Sequence, residues 1–288
     1  MKKFISSRAS GLEKAQWILM GLPLGSTVSR QPGSSKGPQV IRDESWNLET
    51  FSFWLERDLE NVDFVDIGDL VLQCRPVDVA LEVIYKVAKH FFKKGKKVLS
   101  FGGEHLVSYG VIKAAAEINP GLCVVHLDAH ADLRDTYHGE KFTHATVMRR
   151  VAEECLENPQ NLFQLGIRSG TSEEYEWAKK HTRLFTNNDI LLSFEKAIPK
   201  LKDKPIYISL DIDVFDPSVA PGTGTPEPGG ISNYMELFRF IKKMEHLNVI
   251  GMDIVEVSPL LDINNITSVL AAKIARDTLL LWGVEKIV

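Results

Sequence analysis

The segment Val124–Asp132, reading VVHLDAHAD, releases an acid, an imidazole and a second acid from the end of an apolar run at every second position. If Leu122–Leu127 is a strand, period-two alternation sends Asp128 and His130 to one side, and a turn beyond them can fold Asp132 back beside them. An unpaired buried carboxylate costs on the order of several kcal/mol, so ionisable groups crowded around an apolar strand end require a cation or solvent between them. Three further clusters have the same setting. FGGEH delivers His105 beyond a close turn at Gly102 and Gly103. SLDIDVFDPSVAPGTGTPEPGG places Asp211 and Asp213 two apart ahead of a Gly/Pro-rich loop, and DIVEVSP sets Glu256 at a strand boundary before Pro259. Ligands of open parallel α/β sheets bind outside the carboxyl ends of the strands, so these four ends can converge on one crevice. His105, Asp128, His130, Asp132, Asp211 and Asp213 then supply two imidazoles and four carboxylates, too many for one small ion and suited to two bridged ones. With no thiolate among them, hard or borderline divalent ions fit: Mn²⁺ first, with Zn²⁺, Co²⁺ and Fe²⁺ sharing the donor set. The chemistry of such a cluster is two-metal hydrolysis.

The elements that must position these groups form a βαβα rhythm from end to end, the signature of a parallel sheet covered on both faces. Strands are expected at Gln16–Gly21, Asp63–Ile67, Lys97–Gly102, Leu122–Asp128, Leu162–Ile167, Arg183–Phe185, Pro205–Asp211 and Asn248–Val255. The clearest helix repeats Val77, Leu81, Ile84, Ala88 and Phe91 at threes and fours, with Pro76 at its start and Gly95 past its end. Further helices are expected at Val107–Ile118, Thr146–Cys155, Asn233–Met244 and Ser268–Trp282. Gly21–Arg42, rich in Gly and Pro, reads as a long loop that could line a substrate mouth or a subunit contact. No repeat or low-complexity linker divides the chain, so residues 1–288 are expected to form one domain.

Composition narrows the partners. A net charge of −4 without a basic block leaves no electrostatic footprint for nucleic acid or an anionic membrane. Cys74, Cys123 and Cys155 lack any C-x-x-C pairing, which argues for a reducing compartment and against a thiolate metal site. The start MKKFISSRASGLEK has no apolar signal region and no run reaches spanning length, so a soluble, cytoplasmic protein is expected.

Together GGEH, DAHAD, SLDIDVFDPSVAPGTGTPEPGG and DIVEVSP resemble the ureohydrolase family of arginases and agmatinases, over nearly the whole chain. The early segment LPLGSTVSRQPGSSKGP, with Ile41 and Arg42 after it, is similar to that of agmatinases rather than arginases. The resemblance implies a three-layer α/β/α fold with an eight-stranded, mainly parallel sheet and two Mn²⁺ per chain. It implies His105, Asp128, Asp132 and Asp211 around one ion and Asp128, His130, Asp211 and Asp213 around the other, with Asp128 and Asp211 bridging. It further implies that Asp132 accepts a hydrogen bond from the attacking hydroxide, that His144 in FTHAT passes protons to the leaving amine, and that Glu256 holds the guanidinium. His138 in YHGEK competes for the shuttle role, with an exposed loop position the expectation. Family members are commonly homo-oligomers, trimers or hexamers.

Several groups are left to plainer duties. His126 is expected to pack or to support rather than to ligate, and Asp253 to lie behind the ligands. Glu104, Asp216, His90, His181 and His246 are expected in solvated or capping positions. The substrate is read from departures. Arg134 stands where arginases carry an Asn that reads the substrate carboxylate, which argues against arginine. Gly25 and the pair Arg30–Gln31 depart from the usual mouth residues. Agmatine, cleaved to urea and putrescine in polyamine biosynthesis, is the expected substrate. The alternative is an amidino or formimino hydrolase for an acid-tailed compound such as guanidinobutyrate or formiminoglutamate, received by Arg134. A non-catalytic protein binding metal and a guanidino ligand is the third reading.

Overall fold

The computed structural model describes residues 2–8, 11–25, 33–72, 74–185 and 190–283. Eight strands form its sheet: β1 (Trp17–Leu22), β2 (Phe64–Asp69), β3 (Lys97–Gly102), β4 (Cys123–Leu127), β5 (Leu162–Leu165), β6 (Arg183–Phe185), β7 (Pro205–Asp211) and β8 (Asn248–Val255). Their order is β2-β1-β3-β8-β7-β4-β5-β6, and every neighbouring pair is parallel. The last two strands are thus inserted between the third and the fourth. This brings the ends of β3, β8, β7 and β4, from distant parts of the chain, side by side at the centre of the sheet.

Both faces are covered, as an all-parallel sheet requires. Alternation along β1 sends Trp17 and Leu19 to one core and Met20 and Leu22 to the other. Helices α1 (Gly37–Ser45), α6 (Ile190–Leu201), α7 (Tyr234–Lys243) and α8 (Ile266–Trp282) contribute to the first core, and α2 (Val77–Lys93), α3 (Val107–Ile118), α4 (Val147–Arg150) and α5 (Ser172–His181) to the second. The result is the expected three-layer α/β/α arrangement. The α2 stripe buries Ala80, Leu81, Ile84, Ala88 and Phe92, and the helix stops where Gly95 takes a φ of 69°. There the Lys96 and Gly95 amides donate to the carbonyls of Phe91 and Phe92, the paired bonds of a Schellman cap. No helix among the described residues is long and apolar enough to cross a membrane.

Three local expectations are corrected. The stretch read as a loop, Gly21–Arg42, includes the end of β1, a 3-10 turn at Ser34–Lys36 and most of α1, while residues 26–32, with Arg30–Gln31, lie outside the described part. Pro38 sits in the first turn of α1, where a missing N–H costs nothing, so it opens the helix it was taken to forbid. The segment Thr146–Cys155 is not one regular helix: α4 ends at Arg150 and Val151–Cys155 continue as a π-helical turn. Helices α5 and α6 were not foreseen, although Thr171 and Glu174 form a reciprocal capping box that marks the start of α5.

One turn fixes the height at which the site begins. After β3, the Gly103 amide donates to the Leu22 carbonyl and the Glu104 amide to that of Leu24, laying this turn against the end of β1. A Cβ on Gly103 would lie 1.9 Å from the Leu24 carbonyl oxygen, so no other residue fits without moving backbone. Overpacking costs about 1–3 kcal/mol even where side chains can yield. Gly103→Ala is therefore expected to lower the melting temperature and displace His105, and an unchanged thermal scan would show that the turn has room.

Candidate metal centre

Each polar group of the centre is placed by a strand end or by the turn after it. Asp128 follows β4 directly, and its Oδ1 accepts the His130 amide at 2.6 Å. Asp211 closes β7, and its Oδ1 accepts the Asp213 amide at 2.9 Å. Asp213 Oδ1 in turn accepts the Ala129 amide at 3.1 Å, tying the β4 and β7 loops together. Asp132 adopts a left-handed φ of 53°, and its carbonyl receives the Met148 and Arg149 amides at 3.1 Å each, capping the start of α4. The turn thereby points the Asp132 side chain back toward Asp128, as the spacing suggested.

The six residues foreseen as ligands form two contiguous groups. His105 Nδ1 lies 3.1 Å from Asp128 Oδ2, 3.1 Å from Asp132 Oδ2 and 3.4 Å from Asp211 Oδ2. His130 Nδ1 lies 2.9 Å from Asp213 Oδ2 and 3.6 Å from Asp128 Oδ1. Asp128 is common to both. His105 Nδ1 is buried, and none of its three contacts has hydrogen-bond geometry. A buried nitrogen this close to three carboxylate oxygens, with no hydrogen bond of its own, fits a divalent cation shared among them.

Electrostatics agrees with that fit. Burial pushes the Asp211 carboxyl well above its ordinary range, and the charges of Asp213 and Asp128 push it further. Asp213 is raised by burial and by Asp128. Burial alone would lower His130, but Asp128 and Asp213 outweigh it and its pKa is pushed up to about 12. His105 likewise rises well above its ordinary value, burial opposing and the carboxylates prevailing. Without cations, the cluster holds protons that metal ions must displace.

Behind these side chains, one pleat down, a polar row crosses five strands in register: Ser100, Asp253, Ser209, His126 and Gln164. His105 Nε2 meets Ser209 Oγ at 2.9 Å, and that hydroxyl donates to Asp253 Oδ1 at 2.8 Å. Asp253 Oδ2 accepts the Tyr207 hydroxyl at 2.9 Å, and through Ser209 Asp253 stands behind His105.

The centre opens into a cleft of about 310 Å³ lined by His105, His130, Asp132, His144, Asp211 and Glu256, with Arg134, Tyr137 and Glu174 also in its wall. Glu256 has a φ of 63°; its amide donates to the Gly103 carbonyl, and its Oε1 accepts the His105 amide at 2.8 Å. Burial and then the charge of Glu104 push its carboxyl up to about 8. Glu104 is itself fully buried, against the expectation of a solvated position, because its backbone is bonded to Leu24 and the turn faces inward. His144 reaches the cleft and meets the Tyr137 ring edge-on, whereas His138 is exposed and does not line it. Asp216 accepts the amides of Ser218 and Gly229 and the Ser218 hydroxyl, which hold its carboxyl down at about 2.

Two contributors were not singled out in the sequence. Arg168, just past β5, donates to the carbonyls of Asp213, Glu227 and Pro228, fastening the Gly/Pro-rich loop beside the ligands. Its signal was position alone, at the carboxyl end of a sheet strand. Glu174 is buried and accepts the Leu133 and Thr171 amides, one on each oxygen. Arg134 Nε is 3.6 Å from Glu174 Oε2, and its guanidinium lies over the Tyr137 ring.

Comparison with known proteins is consistent in fold and length. The chain is 43% identical to agmatinase of Bacillus subtilis (strain 168) over 281 residues, covering 97% of this chain and 96% of that protein. It is 42% identical to agmatinase of Bacillus anthracis over 283 residues, covering 98% and 96%. The crystal structure of agmatine ureohydrolase of Thermoplasma volcanium superimposes with a TM-score of 0.88 at 31% identity, covering 98% of this chain and 94% of that one. The arginase family matches residues 15–281, and the chain belongs to that family.

Proposed function

We propose that this chain is an agmatinase, hydrolysing agmatine to urea and putrescine with two Mn²⁺ held by His105, Asp128, Asp132, Asp211 and by Asp128, His130, Asp211, Asp213. The observation that carries the reading is the gathering of three carboxylates around a buried, unbonded His105 nitrogen, with His130 between Asp128 and Asp213 beside them, in one cleft. The chemistry supplied by such a cation pair, when bound, is the ionisation of a water near neutral pH. The protein's own groups do the rest. Asp132, fixed by its left-handed turn, accepts a hydrogen bond from the attacking water. Glu256, pinned by the His105 amide, holds the guanidinium so that its trigonal carbon faces that water. His144, on the cleft wall, carries the proton to the departing amine.

The distal tail decides between substrates. Glu174 is a buried carboxylate held by two backbone amides, whereas the Arg134 side chain is 40% exposed and joined to it only at 3.6 Å. The preorganised charge at this end of the cleft is therefore negative and suits the ammonium of agmatine. Arg134 supports a second reading, in which it turns inward to receive an acid tail. Urea or formamide release from agmatine, arginine, guanidinobutyrate and formiminoglutamate after Mn²⁺ loading separates the two. Agmatine is expected to be turned over best, and preference for an acid-tailed compound would transfer the function to the second reading. Elemental analysis should find two ions per active chain, with affinity rising with pH as the proton on His130 leaves more easily. One ion at saturating Mn²⁺ would remove the two-metal mechanism.

His144→Ala is expected to keep both metals and lose about 10²–10⁴-fold in turnover, the usual contribution of a general acid. Activity within twofold, on the order of experimental scatter, would move the proton to water or to another group. Glu256→Gln preserves shape and removes the charge that faces the guanidinium. Truncating one partner of a buried charge pair costs about 2–5 kcal/mol, tens to thousands of fold in kcat/KM. Two metals should remain in this variant; loss of metal with activity would assign Glu256 to the metal shells instead.

A further inference from the structure

A third imidazole reaches the cluster and has no part in the mechanism above. His126 is fully buried, and its Nε2 lies 2.8 Å from Asp128 Oδ2. Its donor atom lies within 4.8 Å of those of His105, Asp128 and Asp132, so distance alone would admit it as a metal ligand. Whether it ligates depends on whether Nε2 carries a lone pair or a proton. The other ring nitrogen, Nδ1, answers this, because it faces Gln164 Nε2 at 3.3 Å.

The orientation of the Gln164 amide is fixed by one of its remaining partners. Gln164 Nε2 lies 2.9 Å from the Ala131 carbonyl oxygen, which can only accept, while the Thr182 hydroxyl, 3.0 Å from both Gln164 Oε1 and the Ala178 carbonyl, suits either orientation. Turning the amide over would set oxygen against oxygen at Ala131. Its NH₂ group therefore faces His126 Nδ1, which must be an acceptor, and the ring proton resides on Nε2.

We infer that Gln164 and the Ala131 carbonyl lock His126 in the tautomer that donates from Nε2 to Asp128, making it a positioning residue for that carboxylate and barring it from the metals. With the His130 amide on Oδ1 and the His126 N–H on Oδ2, both oxygens of Asp128 are oriented before any cation arrives. The strand register enforces this, since His126 is paired with Gln164 on β5 and stands two residues before Asp128 on the same side of β4. The inference rests on the metal-centre reading above, but the tautomer can be read without it.

The test is ¹⁵N NMR of histidine-labelled protein, metal-free and loaded with diamagnetic Zn²⁺, with the His126 signals assigned by substitution. A protonated Nε2 and an unprotonated Nδ1 are expected in both states; a proton on Nδ1, or loss of the Nε2 proton on loading, would overturn the inference. Mn²⁺ affinity by chelator competition gives the second readout. His126→Leu should weaken binding about 10–100-fold, as loss of a partner behind a ligand usually does. His126→Gln keeps an N–H donor near Asp128 and should recover most of that loss, and equal weakening by both variants would instead make the ring a ligand. If wild-type protein bound no divalent metal while His126 showed the Nε2 proton, the proposed function would fail and the tautomer lock would stand.

Discussion

Four carboxylates meet at the carboxyl edge of this sheet, buried and within reach of one another, and the architecture around them answers that repulsion. Burial and mutual charge raise Asp211 and Asp213, and the excess negative charge lifts His105 and His130 far above an ordinary imidazole. A cluster that holds protons this tightly is one in which a compact divalent charge replaces them with gain. Among the described residues, the ion-pair partners of these carboxylates are His105, His126 and His130, with no Arg or Lys. Arg168 donates to backbone carbonyls beside the cluster, and the buried Arg42 is spent far away on Asp66 and Asp69. What the protein supplies instead is backbone N–H, from Ala129, His130 and Asp213, each fixing a carboxylate oxygen without neutralising it.

Holding those groups in place carries a conformational cost. Asp132 and Glu256 are non-glycine residues in the left-handed region, a strain of about 1–3 kcal/mol each. Both are anchored at two points. Asp132 caps a helix with its carbonyl while its side chain faces His105; Glu256 bonds Gly103 through its amide and His105 through its carboxylate. Within the site, this strain falls on two residues whose side chains turn back over the strand ends into the cleft.

This explains what was legible in the sequence. Lys97–Gly102, Pro205–Asp211 and Asn248–Val255 were found to the residue because a strand buried on both faces is a continuous apolar run with abrupt polar ends; Arg183–Phe185, a half-buried edge strand, also matches its expected bounds. The acids and imidazoles that the structure gathers were legible for the same reason, as charged residues at period two just past such an end. Beyond the turn, periodicity no longer reports direction. Glu104 was misplaced because Gly103 folds its backbone onto Leu24, a contact that no local pattern announces. Helix α1 was hidden by glycine and proline that serve as its start, and Arg168 and Glu174 by roles that exist only once distant loops are adjacent.

The buried polar row shows how one layer can give two imidazoles opposite duties. Ser209 has a single proton and directs it to Asp253, so toward His105 it can only accept; the His105 ring must place an N–H at Nε2, and its Nδ1 faces the carboxylates as the atom left for a cation. One strand away, Gln164 presents NH₂ rather than oxygen, so His126 turns its lone pair away from the cluster and its proton toward Asp128. The two rings lie 5.3 Å apart and contact the same Asp128 oxygen. Their chemical difference is therefore set by the hydroxyl or amide behind each, which means that substitutions in this row change which atoms the cluster offers to a cation without touching the cluster itself.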